Sequence, residues 1–415
     1  MRRGRAYVLV AAACALPRLA ILAFERGEIL ESFTEKSDQI AKTFVDSGTF
    51  GFLPDVPTAY TQPLYGFFLV PIYELFGRSW LAVGLAQTLV AVATALLVYE
   101  LGRRVASSRA GLVGALIATL HPYVVWHDVH VNREVLDGLL AVALTLLTVV
   151  AAERRSWPLA AALGAVTGIA ILGNARLILL SLVLAAYLAW RQREARSAAL
   201  ATAVMVTAAT VAVAPWVVRN EVQLGCAALT TDARALWKAN NLATYDILAA
   251  GGWIDDVAGI PGAQLSPEFQ AAIFEDRGEL IEVDECAQMR FYRGLVTDFW
   301  REHPGEKGKL ALQATRMLWS PTESAGEDAL ARTGVAQTAR TYVEPAYMTV
   351  LYALALGGAF LAGRRFVVLA VLLLGYQTAA AMVFAGTARY RTPWDFLLAL
   401  LAAVALVHLW ERRRR

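Results

Sequence analysis

The sequence predicts an all-α polytopic membrane protein, a bundle of about ten transmembrane helices with further helices lying on its outer face. Three observations predict it. Hydrophobic residues make up 57% of the 415 and charged residues only 18%, with a mean hydropathy of +0.48. Apolar runs near the roughly 20 residues that cross a bilayer recur from end to end. The basic residues gather in short clusters between those runs, as topological signals do.

The clusters are Arg2, Arg3 and Arg5; Arg103, Arg104 and Arg109; Arg154 and Arg155; Arg191, Arg193 and Arg196; Arg364 and Arg365; and Arg412 to Arg415. With each cluster cytoplasmic, ten spans fit with both termini inside: about 6–25, 79–101, 109–127, 134–152, 157–173, 176–190, 198–218, 345–363, 366–385 and 392–410. Pro17 and Arg18 interrupt the first run and no small-residue cleavage site follows, which favours a span over a signal peptide. The net charge of +3 gives no footing for a nucleic-acid partner. No Walker loop, GxGxxG motif or internal repeat is present.

Three regions follow: an N-terminal membrane module, 1–218, with an outer loop at 26–78; an outer helical loop or lid, 219–344; and C-terminal spans, 345–415. The two long outer segments place the chemistry outside the membrane. In the first, Ile40, Ala41, Phe44 and Val45 recur at helical spacing over about 35–45, a short helix on the membrane surface. Asp38 projects from near the border of its apolar face, where a lipid head group would lie. An i, i+4 pair with Lys42 is the plain alternative. The run Pro63–Phe76 is apolar but too short to span, and reads as a second interfacial helix. In the second segment, helix-like runs lie near 266–278, 285–302 and 305–319, and Cys226 and Cys286 could be bridged in an oxidising compartment.

Asp38, Gly51-Phe52, Pro63-Leu64-Tyr65 and Phe76-Gly77, then PWVVRN at 215–220, LWKANN at 236–241, REHPGEKGKLALQATRMLWSP at 301–321 and ARYRTP at 388–393, occur in an order that resembles the GT-C membrane glycosyltransferases. The likeness is to bacterial relatives of protein O-mannosyltransferases and aminoarabinose transferases. One departure is that Gln39 follows Asp38 where many relatives carry a second acid.

The resemblance implies transfer of a sugar from a polyprenyl-phosphate-linked donor to a glycan, lipid or protein acceptor outside the cytoplasmic membrane. Such a reaction needs a base, cations for the departing phosphate and an apolar groove for the isoprenoid. Direct displacement inverts the anomeric centre. Asp38 is the candidate base, because a partly desolvated carboxylate gains proton affinity. Arg219, Arg391, Arg389, Arg176 and Lys238 are candidates for the phosphate, since outward Arg runs against the positive-inside trend; snorkelling at a span end is the alternative. His127, Asp128, His130 and Glu134 cluster in the connection 121–138, with Arg133 and Asp137 close by. Asp128 with Asp38 could hold a divalent Mg or Mn through carboxylate oxygens, the His pair with Asp128 offers a loose match to a transition-metal site, and Asp128 or Glu134 could instead touch sugar or acceptor; polar caps on two span ends are the bland explanation. A flippase or transporter for lipid-linked sugars, and a polymerase or ligase of lipid-linked glycans, remain as alternative functions.

Overall fold

The computed structural model describes residues 3–31, 35–192, 195–258, 284–322 and 334–414; the helical run expected at 266–278 lies outside them. Most of the described chain is helical and, apart from an isolated bridge between Leu53 and Val56, the described residues have no β-structure. In order come α1 (Arg3–Glu25), α2 (Lys36–Ser47), α3 (Pro63–Phe76), α4 (Trp80–Val105), α5 (Ser108–Thr119), α6 (Pro122–His127), α7 (Glu134–Arg154), α8 (Trp157–Gly173), α9 (Leu180–Gln192) and α10 (Ala195–Leu224). Then follow α11 (Ala233–Lys238), α12 (Thr244–Ala249), α13 (Glu285–Glu302), α14 (Pro304–Leu318), α15 (Gly334–Thr338), α16 (Glu344–Leu361), α17 (Arg364–Val383), α18 (Ala388–Arg391) and α19 (Phe396–Arg413).

Seven helices among the described residues are long and apolar enough to cross a membrane, and α18 with α19 makes an eighth bent by 59°. The expected count of ten is therefore approximate. The run expected at 109–127 breaks after Thr119, because Pro122 has no N–H to donate and starts α6 instead. The run at 157–173 is a helix of 17 residues, just under a full crossing. The last span breaks at Asp395, whose carboxylate pairs with Arg391 one turn earlier.

Without water between helices, close backbone approach supplies the packing, and small residues permit it. The pair Gly164 and Gly168 on α8 shows this: a Cβ on Gly168 would stand 2.6 Å from Ala209 O, and one on Gly164 would collide with Met205 O of α10. At one end of the bundle, Arg3 pairs with Glu100 (2.9 Å), Arg104 with Glu153 (3.5 Å) and Arg109 with Glu411 (2.8 Å). These contacts gather the basic clusters and bring the start of α1 and the end of α19 to the same end. The surface helices α2 and α3 and the segment 219–258 pack at the other. Cys226 and Cys286 are joined there by a disulfide, which ties α13 to the chain leaving α10.

Candidate functional site

The end of the bundle that carries α2 and α3 holds an ionic cluster to which five elements contribute. Glu35 is the N-cap of α2, and its backbone N–H donates to Val131 O (3.1 Å), fixing the helix start against the 128–133 connection. Its carboxylate accepts from Arg389 of α18 at 2.5 Å, and the same guanidinium donates to Glu134 at the start of α7. Arg133, which precedes α7, donates to Gln62 (2.7 Å) and stands 3.9 Å from Asp137. Asp137 accepts from Asn174 (3.1 Å), just past α8, and Asn174 in turn accepts from Arg176 Nε (3.1 Å). The Arg176 guanidinium lies 3.4 Å from the centre of the Tyr390 ring.

Burial pushes the Glu35 carboxyl up to about 7, and the Glu134 carboxylate beside it acts in the same direction, against Arg133 and Arg389. A carboxylic acid poised near neutrality is suited to taking a proton from a hydroxyl.

On the other side of the α2 start, the Lys36 ammonium lies 4.7 Å from the Tyr60 ring centre. Burial works against its charge, but Tyr60, Asp232 and Asp255 outweigh it and raise its proton affinity. Arg234 donates to the Tyr60 hydroxyl (3.0 Å), and Lys238 donates to Asp255 O (2.7 Å). Glu285, next to the disulfide, holds Thr58, Ala59 N and Thr231 together and so fixes Tyr60 under these cations.

A groove of about 680 Å³ opens beside the cluster, walled by Phe44, Phe50, Phe67 and Trp216 with Leu64 and Leu172. Arg219 lines it, over the Trp216 ring at 4.9 Å. A Cβ on Gly173 would meet Leu64, which lines the groove, at 2.9 Å and Asp137 Oδ1, in the cluster, at 3.5 Å, so Gly173 lies next to both.

The residues singled out in the sequence divide accordingly. Asp38 is not at the border of the apolar face but buried, accepting from Tyr73 Oη (2.5 Å) and Arg78 (3.0 Å), and not from Lys42. Arg389, Arg176 and Glu134 enter the cluster and Lys238 the neighbouring cationic pocket. Arg391 is engaged by Asp395 (2.9 Å) and Leu318 O (2.5 Å), and Arg219 donates to Thr58 O and Phe50 O. Asp128 pairs with the buried Arg18 (2.6 Å), and burial keeps its carboxyl above the usual range despite that partner. His130 stands 2.8 Å from Glu25, and His127 stacks on Tyr123. These partners leave Asp38, Asp128, His127 and His130 in separate contacts, and among the described residues no three carboxylate, imidazole or thiol groups assemble as metal ligands. The expected Mg or Mn site does not fit this donor set. Sequence reasoning missed Glu35, Lys36, Arg234 and the Arg18 pair; an Arg inside an apolar run signals a buried acid partner.

The chain resembles the GT-C glycosyltransferases in both sequence and fold. A family model described as dolichyl-phosphate-mannose-protein mannosyltransferase matches residues 55–218. No curated protein matches the sequence. The archaeal oligosaccharyltransferase AglB from Archaeoglobus fulgidus, in complex with an inhibitory peptide and a dolichol-phosphate, matches with a TM-score of 0.54 at 12% identity over 98% of this chain and 50% of its own. The crystal structure of the Archaeoglobus fulgidus oligosaccharyltransferase in complex with Zn and sulfate matches with a TM-score of 0.50 at 11% identity, over 98% and 49%. ArnT from Cupriavidus metallidurans bound to undecaprenyl phosphate gives a TM-score of 0.42 at 18% identity, over 98% and 78%. The chain spans about half the length of the oligosaccharyltransferase structures it matches.

Proposed function

We propose that the protein is an inverting glycosyltransferase that moves a sugar from a polyprenyl-phosphate-linked donor to an acceptor hydroxyl at the outer face of the cytoplasmic membrane. The observation that carries this reading is the convergence of Glu35, largely enclosed and with its carboxyl pushed up to about 7, with Arg389, Glu134, Arg133 and Asp137.

Glu35 is the base in this reading, in place of Asp38, whose carboxylate is already held by Tyr73 and Arg78. The acceptor oxygen attacks the anomeric carbon while its proton passes to Glu35. The bond from that carbon to the phosphate oxygen breaks, and polyprenyl phosphate leaves with the electron pair. Lys36, Arg234 and Lys238 would hold the departing phosphate, because they form the nearby cationic pocket; Arg176, whose side chain bonds Asn174, would support it. As Glu35 gains the proton, Arg389 remains anchored by Glu134. The aromatic groove suits the isoprenoid chain, with Arg219 at its polar rim. No step is routed through a metal.

In this reading the opposite end of the bundle, with both ends of the described chain, faces the cytoplasm; the basic clusters there support it by the positive-inside trend. The test is transfer of labelled sugar from a synthetic polyprenyl phosphate by the purified protein in nanodiscs, using an envelope extract as acceptor. Transfer that is lost in Glu35→Gln supports the reading. Movement of the lipid-linked sugar across the bilayer without transfer would instead identify a transporter, and transfer of whole lipid-linked glycans a polymerase or ligase.

A further inference from the structure

We propose that Glu134 and Asp137 form the sugar-recognising edge of this site, accepting hydrogen bonds from hydroxyls of the transferred sugar, so that the donor carries a neutral or amine-bearing polyhydroxylated sugar and not a uronic acid. The proposal rests on the glycosyltransferase reading for its ligand.

The two acids stand three residues apart on the first turn of α7, which puts them on one face of the helix. Both are more than nine-tenths buried, at 8% and 7% exposure. Each is held by one oxygen: Glu134 Oε1 takes the Arg389 bond, and Asp137 Oδ2 takes Asn174 and faces Arg133. The other oxygens, Glu134 Oε2 and Asp137 Oδ1, have no hydrogen-bond partner among the described residues. A buried carboxylate oxygen without a donor is costly, and native structures keep one chiefly where a ligand completes it.

Gly173 adds no side chain beside Asp137 Oδ1, where a Cβ would lie 3.5 Å from that oxygen. Carboxylates only accept, so their complement must donate, which hydroxyl and ammonium groups do. Arg133, Arg176 and Arg389 already balance Glu35, Glu134 and Asp137 in number. A uronate would add an uncompensated anion facing two carboxylates.

The experiment measures binding, separately from turnover, with the full chain in nanodiscs. Tryptophan fluorescence follows titration with short-chain polyprenyl-phosphate sugars: a neutral hexose or pentose, its monodeoxy analogues, an amino sugar and a uronic acid. We expect one or two deoxy analogues to bind about ten- to a hundredfold more weakly than the parent, the scale of a lost bond to a charged partner. Asp137→Asn and Glu134→Gln should weaken the parent similarly, weaken the matching deoxy analogue no further, and improve uronate binding. Uronate binding as tight as the parent in the wild type overturns the proposal. So does equal weakening of the parent and every analogue in both variants. If the variants fail to fold, the wild-type panel decides. The expected binding pattern without any transfer would sink the enzymatic reading yet leave the subsite standing, whereas transfer with a flat binding panel would do the reverse.

Discussion

Replacing Glu35 with Gln removes the proposed base while keeping its shape, and the structure predicts opposite effects on turnover and stability. The carboxyl is raised from 4.5 to about 7 in the folded protein. A raised carboxyl binds its proton more tightly in the native state than in the unfolded one, so its ionisation costs stability as pH rises from about 4.5 through about 7, and the full cost is present above that. The shift is worth on the order of 1 to 3 kcal/mol. Gln mimics the protonated form and still offers Arg389 an acceptor, so Glu35→Gln should melt higher than the wild type at pH 8 and close to it at pH 4.5. Transfer by the wild type should rise with pH through about 7 as the base ionises, and the variant should lose most of it, by roughly a hundredfold or more. Melting in nanodiscs across pH and single-turnover transfer read the two effects separately. Retained transfer in the variant refutes the base assignment, and a melting difference that does not change with pH refutes the account of its ionisation.

Asp38→Asn should leave transfer within a fewfold of wild type while lowering stability by about 1–3 kcal/mol, because it breaks a contact between α2 and the chain before α4 that is partly open to solvent; loss of transfer in a folded variant would return the base role to Asp38. Arg18→Ala strands the Asp128 carboxylate in the bundle and should cost about 3–5 kcal/mol, read as a lower melting temperature that a second change, Asp128→Asn, partly restores. Reducing Cys226–Cys286, or replacing both with Ser, opens a closure of 60 residues and should cost about 2–4 kcal/mol; an unchanged melting temperature under reductant would contradict the bridge. Lys36→Gln should weaken donor binding about tenfold or more and reduce its dependence on salt, measured by titrating the donor at two ionic strengths.

What hydropathy and punctuation carry was legible. Pro63 at a helix start and Gly77 after Phe76 bounded α3, and the runs at 285–302 and 305–319 became α13 and α14 almost to the residue. The break in the last span was also written locally, since Arg391 and Asp395 are i, i+4 partners inside an apolar run, but span counting by length passes over such a pair. Which acid of TEKSDQ serves the site was not legible. Glu35 and Asp38 lie three residues apart on one helix, and what separates their roles is the bond from Glu35 N to Val131 O, nearly a hundred positions away, together with Arg78 waiting for Asp38.

The candidate cations divide for a related reason, and it applies to membrane proteins generally. A cation drawn into a low-dielectric bundle persists only with an acid or several carbonyls around it. Arg391 has Asp395 and Leu318 O, Arg219 has Thr58 O and Phe50 O, and Arg18 has Asp128, so each is explained by what already surrounds it. Counting outward Arg residues therefore selects the best-partnered groups as readily as those available to a ligand. Subtracting the close ion pairs among the described residues leaves Lys36, over the Tyr60 ring with Asp232 and Asp255 acting on its charge, Arg176, over the Tyr390 ring and bonded to Asn174, and the carboxylate oxygens of Glu134 and Asp137. Those leftover valences flank Glu35 from both sides. A phosphate needs donors and a sugar supplies them, so the two sets of unmet groups call for opposite ends of one sugar-phosphate, with the acid that titrates near neutrality between them.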